Sequence, residues 1–162
     1  MKLGILSDTH EHIENIEKAK ALFQERSASP IIHLGDYCAG PSVRAFAGMK
    51  IIGILGNNDG DPLRLQRSFQ QIGGDFRDEF CALEFDGRRI ACYHGTVPAI
   101  TEALILCKNY DVVLYGHTHD VHHETRDGVL VLNPGSAHGF EKAPTVAVLD
   151  IAAMEAEILG LR

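Results

Sequence analysis

The amino-acid sequence predicts an α/β fold: a four-layer sandwich of two stacked mixed β-sheets flanked by α-helices. Short runs of Ile, Leu and Val without polar alternation, such as LGIL, IIHL and IIGIL, suit strands that are buried on both faces of a sheet. Helical patterns separate these runs in the first half of the chain, as expected when helices cover a sheet. Hairpin signals then give further short strands, which we assign to a second sheet.

The first half of the chain alternates strands and helices. Residues 1–6 read as the first strand, because polar residues interrupt the apolar run too soon for a signal peptide. Apolar residues three and four positions apart over residues 13–26 predict an amphipathic helix. Pro30 precedes the second strand, and Pro41 and Pro62 stand where the next two helices are expected to begin.

The second half of the chain has the pattern of short strands joined by tight turns. CALEF and RIACY are expected to pair as a hairpin around Asp86 and Gly87. A helix over residues 98–108 leads into the apolar run VVLY. Beyond that run, VHHET and VLVL are joined by a turn at Asp127 and Gly128, and TVAVLDI reads as a last strand.

Length and composition favour a single domain over residues 1–162 without a membrane helix. The longest apolar stretch is far shorter than the roughly 20 residues that a bilayer requires. The net charge of −7 argues against strong nucleic-acid binding, because that binding depends on Lys and Arg neutralising phosphates. Four scattered cysteines indicate reduced thiols and a cytoplasmic protein. The sequence leaves open whether the protein is a homo-oligomer.

Side chains that bind metal ions follow five of the apolar runs. The carboxyl ends of parallel strands share one edge of a sheet, so we expect these side chains to meet in one crevice. Mixed oxygen and nitrogen ligands suit transition metals better than Ca²⁺ or Mg²⁺. Asp36 is the candidate bridge between two cations, because a carboxylate has two oxygens to share. The candidate metal ligands are Asp8, His10, Asp36, Asn57, His94, His117 and His119.

The motifs DxH, GD, GNxD, HG and GHTH, in this order over essentially the whole chain, resemble the calcineurin-like metallophosphoesterase superfamily. The compact size, the NPGS turn and the opening SDTHEH further resemble its small bacterial and archaeal phosphodiesterase branch. The resemblance implies the metallophosphoesterase-like sandwich and two divalent transition-metal ions, with Mn as the first choice and Ni, Co, Fe or Zn as alternatives. It implies that the first ion is held by Asp8, His10, Asp36 and His119, and the second by Asp36, Asn57, His94 and His117.

The function expected from this resemblance is hydrolysis of a small phosphodiester or nucleotide by hydroxide formed on a dinuclear metal centre. We place Asp59 among the catalytic residues, with the role of orienting a ligand histidine. Asn58 stands where many relatives have a histidine, and it cannot donate a proton as a general acid. The alternatives are a non-catalytic scaffold similar to a retromer subunit, and a phosphomonoesterase or nucleotide pyrophosphatase with the same metal centre.

Histidines outside these motifs have simpler interpretations. His33 lies inside an apolar run and is expected in the core, with its ring nitrogens hydrogen-bonded. His12 either lines the crevice or caps the first helix. His138 follows the NPGS turn, and it either approaches the site or has no role there. At least one of His122 and His123, in a predicted strand, should be exposed.

Overall fold

The computed structural model describes residues 1–140 and 142–161. These residues form eleven strands and four helices. The strands are β1 (Lys2–Leu6), β2 (Ile31–His33), β3 (Ile51–Gly53), β4 (Asp75–Phe76), β5 (Phe80–Phe85), β6 (Arg88–Tyr93), β7 (Val112–Leu114), β8 (Val121–Arg126), β9 (Val129–Pro134), β10 (Thr145–Asp150) and β11 (Glu155–Gly160). The helices are α1 (Ile13–Glu25), α2 (Gly40–Arg44), α3 (Pro62–Ile72) and α4 (Pro98–Leu106).

The strands form two mixed sheets, as the sequence predicts. The first sheet has the order β11-β10-β1-β2-β3-β4, in which β1 to β4 are parallel and β10 and β11 are antiparallel to their neighbours. The second sheet has the order β5-β6-β7-β9-β8, with β6, β7 and β9 parallel. Five strands with parallel neighbours therefore carry the predicted metal-binding motifs at their carboxyl ends: β1, β2, β3, β6 and β7.

Three apolar layers hold the sandwich together. Residues such as Ile5 and Leu132 fill the space between the two sheets. Helices α1, α2 and α3 cover the outer face of the first sheet, where Phe23 and Phe69 are fully buried. Helix α4 covers the second sheet through Ile105. The four-layer architecture is thus confirmed, with helices on both outer faces.

The helix boundaries follow local chemistry. The Asp61 carboxylate accepts a hydrogen bond from the backbone N–H of Arg64 (3.0 Å), and Pro62 occupies the first position of α3. Gly73 ends this helix with a left-handed φ of 70°. His12 is the N-cap of helix α1, and its Nδ1 accepts a hydrogen bond from the N–H of Asn15 (3.3 Å).

Two strands were not predicted. β4 contains only two residues, and the first of them is Asp75, so it has no apolar run. β11 alternates polar and apolar residues in EAEILG at the edge of the first sheet, and much of it is exposed. Helix α4 also ends at Leu106, two residues before the predicted end.

His33 lies in the core, as expected. Its side chain is fully buried, and its ring stacks on Tyr37 with ring centroids 3.9 Å apart. Its Nδ1 accepts from the N–H of Gly35 (3.2 Å), which leaves Nε2–H to donate to the Thr9 hydroxyl (3.0 Å). Burial lowers the pKa of His33 from 6.5 to about 3, so the folded protein keeps this ring neutral.

We predict that His33 makes the stability of the chelator-treated protein depend on pH. Below pH 6.5 the unfolded chain binds a proton at His33, but the folded chain does not until about pH 3, so stability is lost as the pH falls through this window. Between pH 7 and pH 5 the wild type should lose about 2 kcal/mol more free energy of unfolding than His33→Gln, which cannot titrate. Urea unfolding at both pH values measures the difference, and equal losses would contradict the assignment.

Candidate metal centre

The candidate ligands lie where the chain reverses direction at the ends of buried strands. Five of the seven have a left-handed backbone, with φ between 39° and 66°: Asp8, His10, Asp36, His117 and His119. Residues other than glycine adopt this conformation rarely, at a cost of about 1–3 kcal/mol each when the surrounding structure imposes it. The concentration of such residues at the adjoining edges of the two sheets indicates a functional site there.

Asp8 is a fully buried carboxylate with histidines around it. Its Oδ1 lies 3.3 Å from Nε2 of His119 and 3.8 Å from Nε2 of His10. Its Oδ2 accepts a hydrogen bond from the backbone N–H of His117 (3.1 Å). Burial opposes ionisation of Asp8, but the interactions with His10 and His119 outweigh it and hold the pKa of this carboxyl well below its usual range.

Asp36 lies between two groups of candidate ligands. Its Oδ2 is 3.5 Å from Nε2 of His10, and its Oδ1 is 3.5 Å from Nε2 of His94. Asn58 fixes the carboxylate, because its side-chain amide donates to Oδ2 (2.7 Å) and its backbone N–H donates to Oδ1 (2.9 Å). The two Asp36 oxygens therefore face different histidines, as a bridging carboxylate requires.

His94 presents one ring nitrogen to the site. The backbone carbonyl of Leu34 lies 2.7 Å from its Nδ1 and accepts a hydrogen bond from the N–H of this nitrogen. In the neutral ring, Nε2 is then an acceptor that lies 3.1 Å from Oδ1 of Asn57 and 3.5 Å from Oδ1 of Asp36. Three acceptors that converge in this way require a proton or a metal cation between them. The ring of His117 is 5.3 Å from that of His94.

The residues present fit a metal ion. Within the described residues, Asp8 Oδ1 and His10 Nε2 are buried and have no hydrogen-bond partner. Leaving such an atom unsatisfied costs about 1–3 kcal/mol, and a cation bound by both atoms would remove the cost. Each of Asp8, His10 and Asp36 offers a ligand atom within 4.8 Å of the other two.

Asp59 has a different environment from the one expected of a residue that orients a histidine. Its Oδ2 accepts hydrogen bonds from the backbone N–H groups of Asp36 and Gly56 (both 2.8 Å). Its Oδ1 accepts those of Tyr37 (2.8 Å) and Cys38 (2.9 Å). This carboxylate thus joins the loop after β2 to the loop after β3. It positions Asp36 through the backbone.

Cys38 contacts the candidate ligand His10. Its Sγ lies 3.2 Å from Nδ1 of His10, so the proton on Nδ1 faces the sulfur when Nε2 faces the carboxylates. Burial raises the pKa of the Cys38 thiol to about 11, which keeps it neutral. Cys38 therefore helps to orient the His10 ring.

His138 is the site residue that sequence reasoning left undecided. Its ring centroid lies 4.6 Å from that of His10 and 5.2 Å from that of His119. The N–H of Phe140 donates to its Nδ1 (2.7 Å), so Nε2 carries the proton in the neutral ring. Burial lowers the pKa of His138 to about 4, and this Nε2–H is buried without a partner among the described residues.

In this tautomer His138 is a hydrogen-bond donor, since a ligand nitrogen must be free of its proton. Ring nitrogens of His10, His119 and His138 lie within 4.8 Å of one another, so the other tautomer would make His138 a further candidate ligand. The topology explains its location. β9 is parallel to β7, so the turn after β9 lies at the same edge as the ligand-bearing loops. The N–H of His138 also donates to the carbonyl of Asp8 (3.1 Å).

Comparisons with known proteins find related sequences and structures over nearly the whole chain. The family model of the calcineurin-like phosphoesterase superfamily domain matches residues 1–154. Phosphodiesterase MJ0936 of Methanocaldococcus jannaschii is 38% identical over 154 residues, which are 93% of each chain. A solved structure described as a novel archaeal phosphodiesterase has a TM-score of 0.94 and 36% identity, covering 99% of this chain and 100% of the other. YfcE, a phosphoesterase from E. coli, shares the fold with a TM-score of 0.72, 19% identity and full coverage of both chains.

We predict that Asp59→Asn destabilises the protein by about 3 kcal/mol, because an amide has one acceptor oxygen and leaves two of the four N–H donors without partners. Asp61→Asn is the matched control. Asp61 accepts one N–H as the N-cap of α3, and asparagine caps helices equally well, so its effect should stay within about 0.5 kcal/mol. Urea unfolding of both chelator-treated variants measures the difference. Equal stabilities would show that Asp59 does not hold the two loops together.

Proposed function

The chain belongs to the calcineurin-like phosphoesterase superfamily, and from this premise we propose that it is a phosphodiesterase that uses two divalent metal ions. It is a hydrolase that acts on phosphate esters. The observation that carries the proposal of two ions is the position of Asp36, whose oxygens lie 3.5 Å from two different histidines. Mn is our first choice of metal, since the mixed nitrogen and oxygen ligands favour a transition metal.

The geometry supports two groups of ligands that share Asp36. When bound, two such ions lower the pKa of water toward neutrality and neutralise phosphate oxygens. We assign Asp8, His10, Asp36 and His119 to the first ion, and Asp36, Asn57, His94 and His117 to the second.

Two further residues act on the site without binding metal. Asn58 uses both its backbone and side-chain N–H groups on Asp36, so it holds the carboxylate in place and does not protonate a leaving group. His138 keeps a neutral, buried Nε2–H beside His10 and His119. We assign this N–H to a phosphate oxygen of the bound substrate, because a preorganised neutral donor stabilises charge that develops there.

A small phosphodiester or nucleotide is the proposed substrate class, and the phosphodiesterase relative supports diesters over monoesters. Among residues 1–140 and 142–161, no helix is long and apolar enough to cross a membrane. All four cysteines are free thiols, which supports the cytoplasmic location proposed from the sequence. A purely non-catalytic scaffold is the weaker alternative, because Asp8 Oδ1 and His10 Nε2 are buried and have no hydrogen-bond partner among the described residues, as expected of atoms that bind a cation.

We predict that chelator-treated protein does not hydrolyse bis(p-nitrophenyl) phosphate and that Mn²⁺ restores the reaction. Asp36→Asn should lower kcat/KM at least about a hundredfold and reduce the bound metal, because the shared negative charge is lost. His123→Ala, at an exposed position of β8, is the control that keeps both metal and activity. His138→Gln should keep the metal, because this residue donates a hydrogen bond and does not ligate.

The measurements are metal content by elemental analysis and initial rates at several substrate concentrations. Full activity of metal-free protein, or equal losses in Asp36→Asn and His123→Ala, would refute the proposed centre. Loss of metal from His138→Gln would make His138 a ligand and would contradict the tautomer assigned to it.

A further inference from the structure

A cavity of about 380 Å³ beside the metal centre is lined by three arginines. It lies between the loop that follows Asp36 and the first turns of α3. Arg44 comes from the end of α2, and Arg64 and Arg67 come from α3. The whole chain has a net charge of −7, whereas the residues that line this cavity carry a net positive charge. Positive charge in a concave site favours an anionic ligand.

Ion pairs within the protein neutralise only part of the positive charge of the cavity. Asp61 is the carboxylate among the lining residues, and it already caps α3 and pairs with Arg64, whose Nε lies 3.2 Å from its Oδ2. Within the described residues, Arg44 and Arg67 form no ion pair with a carboxylate. Arg44 instead donates from Nη1 to the hydroxyl of Ser68 (3.2 Å), which directs this guanidinium across the gap between the two helices.

The cavity adjoins the metal centre through Cys38 and His10. Cys38 lines the cavity, and its Sγ is 3.2 Å from Nδ1 of His10. The other ring nitrogen of His10, Nε2, is 3.5 Å from Oδ2 of Asp36. The imidazole ring of the candidate ligand His10 therefore lies between the cavity wall and the Asp36 carboxylate. In a nucleotide chain, one pentose separates successive phosphates.

We propose that the arginine-lined cavity binds a second phosphate of the substrate, one sugar away from the diester that is cleaved. This inference rests on the proposed phosphodiesterase function and narrows the substrate class to nucleotide diesters that carry a further phosphate. Arginine suits this role because its planar fork donates paired hydrogen bonds to phosphate oxygens. The apolar lining residues Ala39, Pro41 and Leu65 give the sugar or base a surface to contact.

A matched pair of substrates tests the proposal: thymidine 5′-(p-nitrophenyl phosphate) with a free 3′-hydroxyl, and the same compound with a 3′-phosphate. Both release the same leaving group at the same diester. With Mn²⁺-loaded wild type at low salt, kcat/KM should be at least about tenfold higher for the 3′-phosphate, mainly through a lower KM. The preference should shrink at 0.5 M NaCl, where the Debye length is only about 4 Å.

The double variant Arg44→Gln/Arg67→Gln should reduce this preference to less than about threefold, because it removes the two unpaired guanidinium groups. Arg88→Gln is the matched control. Arg88 is an exposed arginine at the amino end of β6, at the opposite edge of the second sheet from the metal-binding loops, and its loss should leave both the preference and the activity unchanged. Equal kcat/KM for the two substrates in the wild type, or an unchanged preference in the double variant, would overturn the proposal.

Binding separates this inference from the proposed function. Calorimetry on the Mn²⁺-loaded full chain compares thymidine 3′,5′-bisphosphate with thymidine 5′-monophosphate and requires no hydrolysis. Wild type should bind the bisphosphate at least about tenfold more tightly, and the double variant should not. If neither diester is cleaved, the proposed function fails, yet this binding difference would still support the cavity as a phosphate site. Equal affinities of the wild type for the two compounds would refute the assignment of the cavity as a phosphate site, whether or not the diesters are cleaved.

Discussion

The close approach of the loops that follow β2 and β3 is the constraint on which the site depends. Asp59 ties them by accepting four backbone N–H groups, two on each oxygen. Gly56 permits the approach, because a Cβ at this position would lie 2.1 Å from Oδ1 of Asp36. Asn58 then fixes the Asp36 carboxylate with two further hydrogen bonds. The result is a carboxylate that faces a histidine from the first sheet and one from the second, which is the arrangement that two cations need to share it.

The fold supports this edge at an energetic cost. Left-handed residues, buried carboxylates and polar atoms without partners are each unfavourable alone. The packed layers on both faces of the two sheets hold these groups in place, and bound cations would satisfy the converging acceptors. The charge around the site follows from the proposed role of the cations in this phosphate-ester hydrolase. In the proposed function, cations at the centre would let this acidic chain bind an anionic substrate, and the arginines of the adjoining cavity would add to the attraction.

Sequence patterns reveal the parts of this structure whose signals are local. The periodicity over residues 13–26 predicts α1 almost to the residue, and Pro62 marks the start of α3. β11 is not predicted from the sequence, because an edge strand needs no continuous apolar run. His138 could not be assigned, since its location depends on β9 running parallel to β7. The partners of Asp59 are backbone N–H groups, which every residue type carries, so no pattern of side chains could indicate them.

The most direct test of the central claim is a crystal structure of the Mn²⁺-loaded protein with anomalous diffraction data collected above the Mn absorption edge. The shared position of Asp36 predicts two anomalous peaks about 3.5–4 Å apart, each within bonding distance of a different Asp36 oxygen. One peak should also contact Asp8 and His10, and the other His94 and Asn57. A single peak, or two peaks that do not share Asp36, would contradict the dinuclear centre.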